Sequence, residues 1–301
     1  MIRISRMLAV GGAVAALTLV GAAPAIANQS ALSVGTGTAV LTPAAGGGYA
    51  GQLAVRIRAT GGDVAGVTVV VDQPEGLRFA GERNGQLHTC VRTPNVGPRG
   101  LECYLPVTIA AGGHHDLAVT FTSLAEPQRR SRFSGEGAVT VSSATTAAST
   151  ARFRALLIGT GPGVDPAVYR PASAPDLAVT AGPATFVDNG DGTWAGRLPV
   201  TVTAATDAEH DDIGLSVTGL PAGTGVRVEG QPIGCMYGEW ACRLDPVAQG
   251  ARRTSTLVIW SDQPPVAGTE LTIGVTAMRD LQPFADANPV DNTTTTTVSL
   301  S

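Results

Sequence analysis

Four cysteines carry the first chemistry legible in this sequence: Cys90 and Cys103 enclose a Pro/Gly-rich stretch, and Cys235 and Cys242 enclose MYGEWA. A structural zinc site needs four ligands at regular spacing, and these short intervals with only four histidines in the chain supply no such motif. Two local bridges, Cys90–Cys103 and Cys235–Cys242, are therefore expected. Loops of fourteen and eight residues make each bridge worth about 2.5–3 kcal/mol in the chain-entropy account. A second constellation is acidic: Asp207, Glu209, Asp211 and Asp212 fall within six residues, and Asp286 and Asp291 stand in a later loop with Asn288 and Asn292. Oxygen-rich sets of this kind suit calcium. They equally suit arginine partners such as Arg152, Arg154 or Arg170, and a plain solvated acidic loop is the third alternative. Tyr237 and Trp240, inside the second cysteine loop, form a candidate aromatic contact patch for a ligand, or a lid folded onto the core.

Catalytic machinery is not legible. There is no Gly-x-Ser-x-Gly elbow, no His-Glu-x-x-His and no phosphate loop. His114 and His115 are adjacent in a turn, and His88 and His210 have no counterparts at equivalent places in the repeat described next. The chain is read as a non-enzyme that requires no cofactor, calcium apart. Asp188 to Gly192 is read as a turn, because Asn-Gly and Asp-Gly favour tight hairpins and the EF-hand spacing is missing.

The elements that must position these residues are strands, and they come in two copies. YAGQLAVRIRA at Tyr49–Ala59 returns as WAGRLPVTVTA at Trp194–Ala204, an offset of 145 residues that Cys90 and Cys235 share. Strict alternation at Leu53, Val55, Ile57 and at Leu198, Val200, Val202 marks a strand with one buried face. Beyond the cysteines, Leu105, Val119 and Phe121 align with Leu244, Val258 and Trp260 at an offset of 139, the length difference falling in the cysteine loop. About seven short strands separated by Gly and Pro turns, in some 130 residues, fit an immunoglobulin-like β-sandwich. The expected fold class is all-β: repeat 1 over residues 31–158, a Gly/Pro-rich linker over 159–175, and repeat 2 over 176–301. In such a sandwich the acidic loop and the loop holding Asp286 and Asp291 share one end, which turns towards the first repeat.

Composition narrows the surroundings. Arg3 and Arg6, an apolar run and Ala25-Ile26-Ala27 read as a signal peptide over residues 1–27, leaving no membrane span after cleavage. Removing two arginines takes the net charge from −4 to −6, which disfavours nucleic acid as a partner. Every basic residue is Arg and none is Lys, a composition suggestive of a GC-rich bacterial genome.

A cysteine pair, an apolar strand, a Gly turn and a further strand, closing with Asn288-Pro289-Val290-Asp291-Asn292-Thr293-Thr294, resemble the conserved repeat domains of bacterial surface and secreted proteins. The resemblance covers most of residues 176–301 and extends more weakly over 31–158, where the Asn-Pro-x-x-Asn text is missing. It implies an immunoglobulin-like fold and extracellular structural or adhesive use. The expectation is a secreted or loosely cell-surface-associated interaction module whose partner is an extracellular protein or a cell-envelope polymer. The alternative is a cell-wall or glycan-binding module using Tyr237 and Trp240.

Overall fold

The computed structural model describes residues 30–80, 90–92, 100–221, 223–230, 235, 242–280 and 282–301. Among the described residues there are strands and turns but no helix, so no helix is long and apolar enough to cross a membrane. The expected all-β architecture is present as two immunoglobulin-like sandwiches, each with its own core.

Unit 1 contains β1 (Ala31–Thr36), β2 (Ala39–Pro43), β3 (Tyr49–Thr60), β4 (Val64–Asp72), β5 (Arg78–Phe79), β6 (Cys90–Arg92), β7 (Gly100–Ile109), β8 (His114–Ser123), β9 (Ser131–Ser143), β10 (Thr146–Leu157) and β11 (Val164–Asp165). Its strands run in the order β5-β8-β3-β2-β10-β9-β4-β7-β6. One layer is built on β3 and β8, the other on β10, β9, β4 and β7. Strand β2 joins them, antiparallel to β3 and parallel to β10. Unit 2 contains β12 (Leu177–Ala181), β13 (Ala184–Asp188), β14 (Trp194–Ala204), β15 (Asp212–Thr218), β16 (Gly225–Val228), β17 (Cys242–Leu244), β18 (Arg252–Ser261), β19 (Glu270–Arg279), β20 (Gln282–Phe284) and β21 (Thr293–Leu300). Its order, β16-β18-β14-β13-β21-β19-β15-β17, follows the same path.

Alternation produces the cores. Leu53, Val55 and Ile57 on β3 and Leu198, Val200 and Val202 on β14 are buried, and Leu53 faces Val119 where Leu198 faces Leu257. The glycine of each Ala-Gly pair has a packing reason. A Cβ on Gly51 would lie 2.0 Å from the carbonyl oxygen of Val40 on β2, and one on Gly196 would lie 2.6 Å from the ring of Phe186 on β13. Both glycines let the bridging strand approach the central one.

Three expectations need correction. The count of about seven strands is too low: the first stretch of each unit is broken, at Gly37–Thr38 between β1 and β2 and at Gly182–Pro183 between β12 and β13, and each unit has more than seven strands among the described residues. Residues 159–175 are not a free linker. Strand β11 pairs in parallel with β9, the Tyr169 N–H donates to the Phe133 carbonyl at 2.8 Å, and the Tyr169 side chain sits in the first core. The segment is a strap whose backbone groups find partners in unit 1. Finally, the alignment of β8 with β18 is off by one. Val119 and Phe121 correspond to Leu257 and Ile259, an offset of 138, and Val258 and Trp260 point away from the core.

Candidate functional site

Three of the acids the sequence sets apart, Asp207, Glu209 and Asp211, meet unit 1 where the units join. The loop between β14 and β15, carrying Asp207, Glu209 and Asp211, is seated against the end of unit 1. Asp207 receives two hydrogen bonds, from the Tyr169 hydroxyl at 2.9 Å and from the Ala172 N–H at 2.8 Å. Gln73, just past β4, donates its amide to Glu209 Oε1 at 2.7 Å. Arg78, on the short edge strand β5, donates to the Asp211 carbonyl at 2.8 Å and lies 3.8 Å from its carboxylate. From the other side Gln249 donates its N–H to the Leu124 carbonyl at 2.8 Å, and Ala248 and Ala251 close against Gly47. Leu124, Ala125, Ala208 and Ala248 are buried here. A cavity of about 100 Å³, lined in part by Tyr49, Arg132, Tyr169, Arg170 and Asp207, remains between the units, room for a handful of waters.

The electrostatics follow from burial. Desolvation, reinforced by the neighbouring Asp207 carboxylate, raises the Tyr169 phenol well above its ordinary range, so it stays a donor. His210 is 1% exposed. Its Nδ1 lies 2.9 Å from the Ala208 carbonyl, and its Nε2 is buried with no hydrogen-bond partner. Burial pushes its pKa down to about 4, partly opposed by the bond to Ala208 and assisted by Arg78 and Arg279. The loop is braced within unit 2 by Arg279 donating to the Glu209 carbonyl at 2.5 Å and by the Asp280 N–H donating to Asp211 at 2.9 Å. Asp280 adopts φ 50°, the left-handed region, to make that bond.

The remaining acids stand at the same end of unit 2, as expected, but take partners within that unit. Asp212 pairs with Arg243 on the neighbouring strand. Asp286 accepts from the Leu177 N–H at the start of β12, at 3.0 Å, and from the Asn288 N–H at 2.8 Å. Asp291 accepts from the Asn288 amide at 3.0 Å, while its own carbonyl and that of Asn292 receive the N–H groups of Val179 and Val275. The Asn-Pro-Val-Asp-Asn text thus closes the turn into β21 onto two neighbouring strands. Among the described residues no group of three or more His, Cys, Asp or Glu is gathered to hold a metal ion. Two of the three arginines named for the acidic loop are engaged elsewhere. Arg152 and Arg154 both pair with Glu136, on β9 of their own unit. Arg170 does line the junction cavity with Asp207, and the arginine that bonds the acidic loop from unit 1 is Arg78. Arg78, Gln73 and Tyr169 were missed because they lie far from the loop in sequence; their one legible signal was an aromatic in a Gly/Pro segment.

Both expected disulfides form, Cys90–Cys103 between β6 and β7 and Cys235–Cys242 at the edge of β17. Such bridges indicate an oxidising, non-cytoplasmic environment. Tyr237 and Trp240 lie outside the described residues, as do His88 and the segment read as a signal peptide.

The class these features define is a pair of disulfide-bearing immunoglobulin-like sandwiches. No protein family model and no curated protein matches the chain. Among solved structures, E. coli alpha-2-macroglobulin in its native conformation aligns over 91% of this chain and 17% of its own length, at 12% identity and a TM-score of 0.24. The periplasmic chaperone SfaE aligns over 89% of this chain and 100% of its own, at 14% identity and a TM-score of 0.24. Neither similarity bears on function.

Proposed function

We propose that the chain is an exported, non-catalytic structural and interaction module of the cell exterior, descended from one duplicated sandwich and built to hold its two copies at a fixed angle. The signal-like residues 1–27 and the two disulfides support export. The common strand order supports duplication, and the text at Asn288–Thr294 supports kinship with surface-repeat domains. The observation that carries the reading is Asp207, a carboxylate of unit 2 whose two donors both come from the strap that completes unit 1. A flexible tether between independent domains needs no such bonds.

The test is a distance distribution between spin labels placed on Thr150 and Thr203. A single narrow distribution is expected for the mature chain, broadening in Asp207→Ala combined with Arg78→Ala. A broad distribution in the unaltered protein would refute the fixed-angle reading. Fractionation of the native host and sequencing of the released N-terminus, expected to begin after Ala27, test export separately.

A further inference from the structure

The loop that ties unit 2 to unit 1 also carries the one buried histidine among the described residues. Asp207, Glu209 and Asp211 bond this loop to unit 1, and His210 stands between the last two of them. Its Nδ1 lies 2.9 Å from the Ala208 carbonyl, two residues back on the same loop. A carbonyl can only accept, so in the neutral ring Nδ1 holds the hydrogen and Nε2 is the bare acceptor. A further proton can therefore enter only at Nε2, which is buried with no hydrogen-bond partner.

An imidazolium in this place would have a charge out of water and a new N–H with no acceptor, both unfavourable. Two cations add to the penalty, Arg78 on β5 of unit 1 and Arg279 on β19 of unit 2, while Asp211 on the same loop acts the other way. The carboxylates of Asp207 and Glu209 are turned to Tyr169, Ala172 and Gln73. Relief comes from swinging the ring out into water, and the backbone on either side of it resists. Arg279 holds the Glu209 carbonyl at 2.5 Å from within unit 2, and Arg78 holds the Asp211 carbonyl at 2.8 Å from unit 1. The ring leaves its place when those holds loosen, and the second of them is a bond across the junction.

We propose that His210 is an acid-triggered latch: a proton taken up at Nε2 releases the β14–β15 loop from unit 1 and frees the angle between the sandwiches while both stay folded. The proposal rests on the fixed-angle reading and adds the condition under which that angle is lost. Above pH 6.5 the ring is neutral in the closed and open forms alike, and acid has no leverage. Burial, assisted by both arginines, holds the closed form's pKa down to about 4 against an ordinary 6.5. As pH falls through that interval the open form takes the proton first, so opening gains, and below about 4 it gains no more. From pH 7 to pH 5 these two values raise the opening constant about twenty-fold.

Hydrogen exchange in the mature chain reads that constant. The N–H groups of Ala172 and Gln249 are each held across the junction at 2.8 Å. Their protection, corrected for the pH dependence of the intrinsic exchange rate, should fall about twenty-fold from pH 7 to pH 5. The amides of Leu53 and Leu198, on the central strands, should stay more protected at both pH values. In His210→Gln, which keeps a polar side chain without a titrating nitrogen, the fall should disappear, and His210→Leu gives the same readout if the first variant does not fold. Both variants leave the junction carboxylates in place, so an equal fall in them and in the unaltered chain would overturn the latch and assign the effect to those acids. Protection unchanged between the two pH values would overturn it as well, as would central-strand amides exchanging as fast as junction amides, since the chain would then be unfolding. None of these outcomes touches the angle at neutral pH, which the spin-label distances decide; a broad distribution at pH 7 refutes both readings.

Discussion

At the scale of single residues, His210 is the group most at odds with its surroundings. It is a buried imidazole with one unpaired nitrogen, set near Arg78 and Arg279. Its folded pKa, about 4, lies below the ordinary 6.5. Above pH 6.5 both folded and unfolded chains hold it neutral, and it contributes no pH dependence. As pH falls from about 6.5 to about 4 the unfolded chain takes up the proton first, and stability declines by about 3 kcal/mol before levelling off. Denaturant unfolding across that interval should show this slope in the unaltered protein and a flatter one in His210→Leu. The same slope in both would mean that another group titrates. Local text marks such a residue only as a histidine without a counterpart. Its burial arises because the loop carrying it is pressed between two units, and that follows from tertiary contact alone.

At the scale of elements, much of the fold was legible in the sequence. Period-two alternation placed Leu53 and Leu198 on matching central strands, and the shared cysteine order placed both bridges. The misalignment of β18 shows where text fails. The offset of 139 pairs Trp260 with Phe121, yet a one-residue slip in a strand reverses every side chain, so an exposed indole is matched to a buried ring. The broken first strand and the strap at 159–175 were illegible for a related reason, since both depend on which backbone a strand meets. The repeated glycines were conspicuous, but their purpose needed coordinates. Gly51→Ala should destabilise unit 1 by about 3 kcal/mol, the upper range for overpacking, because its Cβ would meet the fixed backbone oxygen of Val40. Gly135→Ala, where a Cβ meets nothing within 4 Å, should be close to neutral. Comparable melting shifts in the two variants would remove the close-approach explanation.

For the whole molecule, the question is whether two cores unfold as one. Tyr169 belongs to the first core and donates to Asp207 of unit 2, while the Gln249 N–H of unit 2 reaches Leu124, itself buried at the end of unit 1. Unfolding either sandwich therefore strips buried donors and acceptors from the other. Leaving one such group unsatisfied costs about 1–3 kcal/mol, a large part of the margin by which a domain of this size is stable. Calorimetry of the oxidised chain at neutral pH should show a single transition whose calorimetric and van't Hoff enthalpies agree. In Asp207→Ala combined with Arg78→Ala, the junction loses the bonds made by Asp207 and Arg78 while the buried apolar residues of both cores are unchanged. The transition should then split in two, with the less stable unit melting several degrees earlier. Two independent transitions already present in the unaltered chain would show that the bonds across the junction do not couple the sandwiches, and the fixed angle would then rest on apolar contact alone.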